Sequence, residues 1–386
     1  MLHVLTRYAI GVFIISISLG TVASAIPLIL AIKFSANELE VGLLGALPAL
    51  PYILSCSLFG KLSDKIGRRP ILFFGSIFYS TASLLYIVCN EALNIMMLRI
   101  IEGLALAMIW PIMDAIFGDL SNKMASNKMT SNKIASNKVI SIYNASWSLG
   151  FMMGSMFMGI MLWLSDINIA FIITSILGII GIMAFYDVRE YNVLESEKFN
   201  KFKEKQITIM FYNMFILGFS LFSFYSLFPL YALNHNIDEH MVGCMIGTVA
   251  LTRTITFLLY GKIHSNYALS IGSILLGASM FLLWAFPSLM GFFMAAILLG
   301  ISVGLIYSYS LNLIASLSSK GLYAGVLESA VGLGEFIGPL TMGALGFLIS
   351  SNSPYLFMFT MAISSILLNT ILNTKLLNIP RAKPSV

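Results

Sequence analysis

Six charged side chains fall inside long apolar stretches of this chain: Arg99, Glu102, Asp114, Arg253, Glu328 and Glu335. A charge surrounded by hydrocarbon is costly, and it is kept where it faces a cavity, an ion or a ligand. Burial disfavours the charged form of a carboxyl, so an acid in such a place can take up and release a proton. Four of the six are acids and two are cations. If both cations are paired, two acids remain, and Asp114 or Glu335 is the expected proton carrier. At about 100° per residue, Arg99, Glu102 and Asp114 share a helix face about 120° wide over about 22 Å of rise. Arg99 and Glu102 have the i, i+3 spacing of an ion pair, so they serve either structure or coupling. Asp114 has no basic partner on its own helix. Glu328 and Glu335 are seven residues apart, which places them on one face. By residue rise, Arg253 and Glu328 both lie roughly 10 Å from the same membrane surface, which allows them to pair.

A second cluster, GKLSDKIGRR at 60–69, lies between two apolar runs. Gly60 and Gly67 permit a tight turn there. Asp64 can accept hydrogen bonds or cap the following helix. Arg68 can reach an acid at the end of a neighbouring helix, and Asp119 is the candidate. Arg69 adds a further cation. Topological anchoring alone would also account for the charge. Aromatic and polar groups occur in two further runs: Phe222, Phe224 and Tyr225, then Tyr307, Tyr309 and Asn312. They suit contact with an amphipathic organic molecule, with plain packing as the alternative.

The elements that must hold these residues are helices in a bilayer. The chain is 58% hydrophobic and only 10% charged, against roughly 25% charged in soluble domains. Apolar runs are continuous rather than alternating, which excludes a β-barrel. Cutting at polar clusters gives twelve runs, about 8–32, 39–59, 70–90, 93–118, 139–163, 167–187, 207–233, 241–260, 268–286, 289–316, 322–349 and 355–374. The expected fold is an all-α membrane protein, with twelve transmembrane helices in two pseudo-symmetric six-helix bundles. The bundles are 1–187 and 207–386, joined by a cytoplasmic loop at 188–206. The first run is too long for the roughly 7–15-residue core of a cleavable signal, so it is expected to be retained. With the N-terminus inside, 19 of the 22 lysines and arginines fall on the inner side. The positive-inside rule then places both termini in the cytoplasm, and the plasma membrane is the expected location. Cys56, Cys89 and Cys244 sit in apolar runs and suggest neither a disulfide nor a metal site.

The halves read as copies. Val41-Gly42 recurs as Val242-Gly243 and Gly60-Lys61 as Gly261-Lys262; Gly150, Gly154 and Gly159 recur as Gly334, Gly338 and Gly343. Each match links run n with run n + 6, as in transporters built from parallel repeats. These glycines let helices approach closely, either to slide against the opposite half or to pack statically. The C-terminal copy of the loop continues Ile263-His264-Ser265 and lacks the Asp and the paired Arg. One low-complexity element, SNKMA-SNKMT-SNKIA-SNKVI over 121–140, reads as a solvated basic loop, or as a contact with anionic headgroups.

With these motifs in hand, the chain resembles the major facilitator superfamily over nearly its whole length. The resemblance rests on Gly60, Leu62, Asp64, Gly67, Arg68 and Arg69, and on Arg99-Ile-Ile-Glu102-Gly103. More loosely, GFMMGSMFMG at 150–159 is similar to a helix-5 motif of proton-coupled antiporters. Ser155 stands where that motif has Pro, whereas the copy GEFIGPLTMG carries Pro339. The resemblance implies a latch through the 60–69 loop that holds the halves in one conformation, and a part for Arg99 in proton coupling. It implies a secondary transporter working by alternating access. Proton-coupled efflux of a small organic compound is favoured over uptake of a metabolite such as a sugar or organic anion. The expected partners are a small-molecule substrate, H+ as coupling ion and the lipid bilayer, with no nucleic acid, cofactor or metal, and a monomeric state. Rival classes are a polytopic membrane enzyme and a transporter-like sensor or channel. The chain has no HExxH and no phosphate-binding glycine loop, which argues against a zinc-dependent hydrolase or an ATP-driven pump.

Overall fold

A computed structural model describes residues 2–126, 132–164, 167–188, 201–263, 267–315 and 320–377. Its helices are α1 Leu2–Phe34, α2 Glu38–Ala46, α3 Ala49–Ile66, α4 Arg68–Leu85, α5 Ala92–Ser126, α6 Asn132–Trp163 and α7 Ile167–Met183. They continue with α8 Lys201–Asn234, α9 Glu239–Ile263, α10 Ala268–Ala285, α11 Leu289–Ala315, α12 Lys320–Leu348 and α13 Ser353–Leu377. Among the described residues there is no strand. Helices α2 and α3 form one rod interrupted at Leu47-Pro48, where proline has no N–H to continue the ladder. Counting that rod once gives the twelve expected spans. Among the described residues, ten are long and apolar enough to cross a bilayer, and α7 is a shorter apolar helix. Large apolar side chains such as Leu54, Leu258 and Leu367 point outward, a surface suited to lipid rather than water.

The N-terminal half packs α1 on α6 and α7, and α4 on α5 and α7; the C-terminal half packs α8 on α12, and α10 on α11 and α13. In the C-terminal half a buried polar network ties three helices. Asn213 of α8 is bonded to Asn369 of α13 at 2.9 Å, and Ser273 of α10 and Ser365 of α13 donate to its carbonyl oxygen at 3.0 and 2.6 Å. At the start of α1, Arg7 donates to Asp187 beyond α7. That bond holds the Asp187 carboxyl below its ordinary range. It also places the beginning of α1 and the end of α7 at one face of the molecule.

The halves meet most closely through α6 with α9 and α2 with α12. A methyl carbon on Gly42 would lie 2.8 Å from the Gly343 Cα, and one on Gly243 would lie 3.0 Å from the Gly159 Cα. Only glycine allows backbones so near. These are the residues that recur between the halves, so one contact is the repeat image of the other. Pro339 carries the backbone oxygen nearest Gly42. The other motif glycines have their nearest neighbours in their own half: Gly150 and Gly154 pack on α1, and Gly334 and Gly338 on α8.

Three local expectations are corrected. Gly60 lies inside α3 with open space beside it, so the turn into α4 is made by Gly67 alone, with φ 99°. Asp64 is exposed and does not cap α4, whose N-cap is Gly67 without a side-chain bond. The SNK repeat is helical on both sides of 127–131, in α5 and α6, rather than a loop across 119–138. Residues 127–131, 189–200 and 264–266 lie outside the described residues. With them go the middle of the repeat, most of the central connection and His264-Ser265.

Candidate functional site

A cavity of about 250 Å³ lies between the halves, and all six intramembrane charges line it. The face of α5 read from the sequence is real: Arg99, Glu102 and Asp114 all reach the cavity. Arg99 is bonded to Glu102 at 2.7 Å, and the Tyr86 hydroxyl donates to the same carboxylate at 2.7 Å. The Arg99 Nε donates to the Leu44 carbonyl at 3.2 Å. Gly103 seats this assembly, because a Cβ there would lie 2.1 Å from the Pro48 oxygen. The pair is thus a structural staple between α5 and the broken α2–α3 rod, as well as part of the cavity wall.

The other three acids have no bonded cation among the described residues. Asp114 accepts a hydrogen bond from Tyr143 of α6 at 2.6 Å. Glu328 of α12 accepts one from Tyr307 of α11 at 3.1 Å. Glu335 lines the cavity, with Arg99 and Glu102 as its charged neighbours. The pairing of Arg253 with Glu328 that residue rise allows is not formed. Arg253 of α9 is 1% exposed, and its Nε donates to the Ser148 hydroxyl of α6 at 2.8 Å. Its guanidinium lies 4.1 Å from the centre of the Trp147 ring. Three acids therefore stand without a cation, rather than two, because one of the two cations is held by neutral groups.

Phe222, Tyr225 and Tyr307 line the cavity as expected. Asn312 does not: it is exposed and bonds the Ser308 carbonyl of its own helix at 2.8 Å. Five residues separate it from Tyr307, about 140° around the helix. Sequence reasoning missed the α6 wall of Tyr143, Trp147 and Phe151. Their spacing of four along one helix face was the available signal. At the face carrying Arg7 and Asp187, Arg68 pairs with Asp119 at 2.6 Å, both side chains being buried. Arg69 is exposed, with its guanidinium 5.6 Å from the centre of the Phe73 ring.

Among the described residues, no group of histidines, cysteines and acids could hold a metal, and the cysteines are free. What remains is an aromatic-walled cavity between two halves, with titratable groups at its surface. Comparison with known proteins agrees. An uncharacterised MFS-type transporter of Methanocaldococcus jannaschii is 25% identical over 375 residues, covering 90% of this chain and 92% of that one. The quinolone resistance protein NorA of Staphylococcus aureus is 23% identical over 352 residues, covering 87% and 88%. In fold, the chain is similar to the crystal structure of the nucleoside transporter NupG, with a TM-score of 0.72, 12% identity and coverage of 97% and 99%. It is also similar to the human organic anion transporter MFSD10, with a TM-score of 0.70, 16% identity and coverage of 95% and 98%. The profile of the Major Facilitator Superfamily matches residues 8–268, and this chain, a multi-pass membrane transporter, belongs to that family.

Proposed function

We propose that this transporter exports small organic compounds in exchange for protons. The observation that carries the reading is the placing of Asp114, Glu328 and Glu335 around one cavity without a bonded cation. A carboxyl that lacks a counter-cation in a poorly hydrated site readily binds a proton, and substrate entry can displace it. Asp114 and Glu335 are the carriers in this mechanism. Alternating access follows from two halves rocking about the central site. The Arg68–Asp119 pair, beside the Gly67 turn, latches the N-terminal half. The likeness to a quinolone resistance protein over 87% of the chain supports export. In this reading the protein acts as a monomer in the plasma membrane with both termini cytoplasmic, which the charge distribution supports. It changes no bond in its substrate. The units that rock are 1–187 and 207–386.

The test is flux of norfloxacin and ethidium in proteoliposomes with an imposed pH gradient. Exchange predicts saturable accumulation when the lumen is acidic. Accumulation only when the outside is acidic would mean uptake by symport. Unsaturable flux, or none under either gradient, would sink the carrier.

A further inference from the structure

Arg253 is a buried cation with half of its hydrogen-bonding edge unused. Its Nε side is occupied: the Ser148 hydroxyl accepts from Nε at 2.8 Å and itself donates to the Ala250 carbonyl at 3.0 Å. Ser148 thereby fixes the guanidinium plane. On the other edge, one Nη reaches only the Tyr225 hydroxyl, at 3.5 Å, and Nη2 is buried without a partner. A desolvated guanidinium left in this state is unfavourable, and its two free N–H vectors match the two oxygens of a carboxylate. The four cavity acids do not supply those oxygens. Glu102 is taken by Arg99, Asp114 is held by Tyr143 and Glu328 by Tyr307, and Glu335 has Arg99 and Glu102 as its charged neighbours. The groups acting electrostatically on Arg253 are the phenols of Tyr225 and Tyr307.

The surroundings of that edge are flat and apolar. Trp147 lies beneath the guanidinium, with Phe151 5.7 Å from it at the ring centre. Phe151 and Tyr225 are in ring contact at 5.2 Å. The geometry points to aromatic carboxylates as ligands of this cavity, the carboxylate on the Nη edge of Arg253 and the ring against Trp147 and Phe151. The inference names a substrate class for the export reading and rests on the cavity assigned there.

The test is binding, independent of any gradient. Purified full-length protein in nanodiscs is dialysed to equilibrium against 2-naphthoate, 2-naphthol or 2-naphthylmethylamine, which share one ring system and differ in charge. 2-Naphthoate is expected to bind at least about tenfold more tightly than the other two, the scale of one hydrogen bond to a charged group. Arg253→Gln is expected to erase that preference while leaving 2-naphthol binding in place, and Arg253→Lys to keep part of it. Equal or tighter binding of the amine to the wild-type protein would overturn the inference without any variant. So would an Arg253→Gln protein that binds 2-naphthol and keeps full affinity for 2-naphthoate. Binding of 2-naphthoate without gradient-driven flux would sink the export reading alone. Flux of ethidium without 2-naphthoate binding would sink this inference alone.

Discussion

The Arg99 side chain supplies the donor that Pro48 lacks. In an unbroken helix the N–H of residue 48 would bond the Leu44 carbonyl. Proline has none, and the Arg99 Nε donates to that oxygen instead at 3.2 Å. The same guanidinium holds Glu102 at 2.7 Å. One side chain thus neutralises an acid and repairs a broken backbone.

Replacing Arg99 with Gln should therefore destabilise strongly. It leaves Glu102 buried without its cation, a loss of about 3–5 kcal/mol, and uncovers the Leu44 carbonyl at about a further 1–3 kcal/mol. The double variant Arg99→Gln with Glu102→Gln should recover part of the loss. Thermal unfolding of the purified protein reads both; equal melting temperatures for Arg99→Gln and wild type would refute the staple.

Substitutions at the paired glycines should separate folding from function. Gly42→Val and Gly243→Val press a branched side chain into Gly343 and Gly159. They are expected to abolish gradient-driven flux and to change labelling of single cysteines at the opposite face. Gly60→Ala meets open space inside a helix and should be neutral, or stabilising by up to about 1 kcal/mol. Transport lost equally in Gly60→Ala would undo the distinction.

At the loop between α3 and α4, Gly67→Ala puts a side chain at φ 99° and should cost about 1–3 kcal/mol. Arg68→Ala should raise the labelling of cysteines that line the cavity. Exchanging the charges, Arg68→Asp with Asp119→Arg, should restore part of the wild-type pattern. Unchanged labelling in Arg68→Ala would reduce the loop to a topological anchor.

For coupling, Asp114→Asn and Glu335→Gln are the informative variants. In each, substrate accumulation under a pH gradient should fall toward the level reached without one, while counterflow exchange persists. Full gradient dependence in Asp114→Asn would remove Asp114 from the carriers; the same result in Glu335→Gln would remove Glu335.

Much of this site was legible in the sequence, because the bilayer limits where a charge can go. All six intramembrane charges face one cavity, and Arg68 does meet Asp119. The choice of partner was less legible. Whether Arg253 meets Glu328 or Ser148 depends on the tilt and rotation of α9 against α6 and α12, which residue rise alone does not encode. The extent of α3 was hidden too: glycine at position 60 suggests a turn, yet the helix runs on to Ile66 because nothing crowds it there. The position of Asn312 and the Tyr143-Trp147-Phe151 stripe follow from helical angles along α11 and α6.

The two glycine contacts also close one side of the molecule. Gly42 lies near the start of α2, Gly343 near the end of α12, Gly159 near the end of α6 and Gly243 near the start of α9, the helix ends away from Arg7 and Asp187. Backbones this near leave no gap for a solute, so a path to that face would need both contacts to part. The duplication thus supplied this chain with both halves of one seal, one from each copy of the same contact.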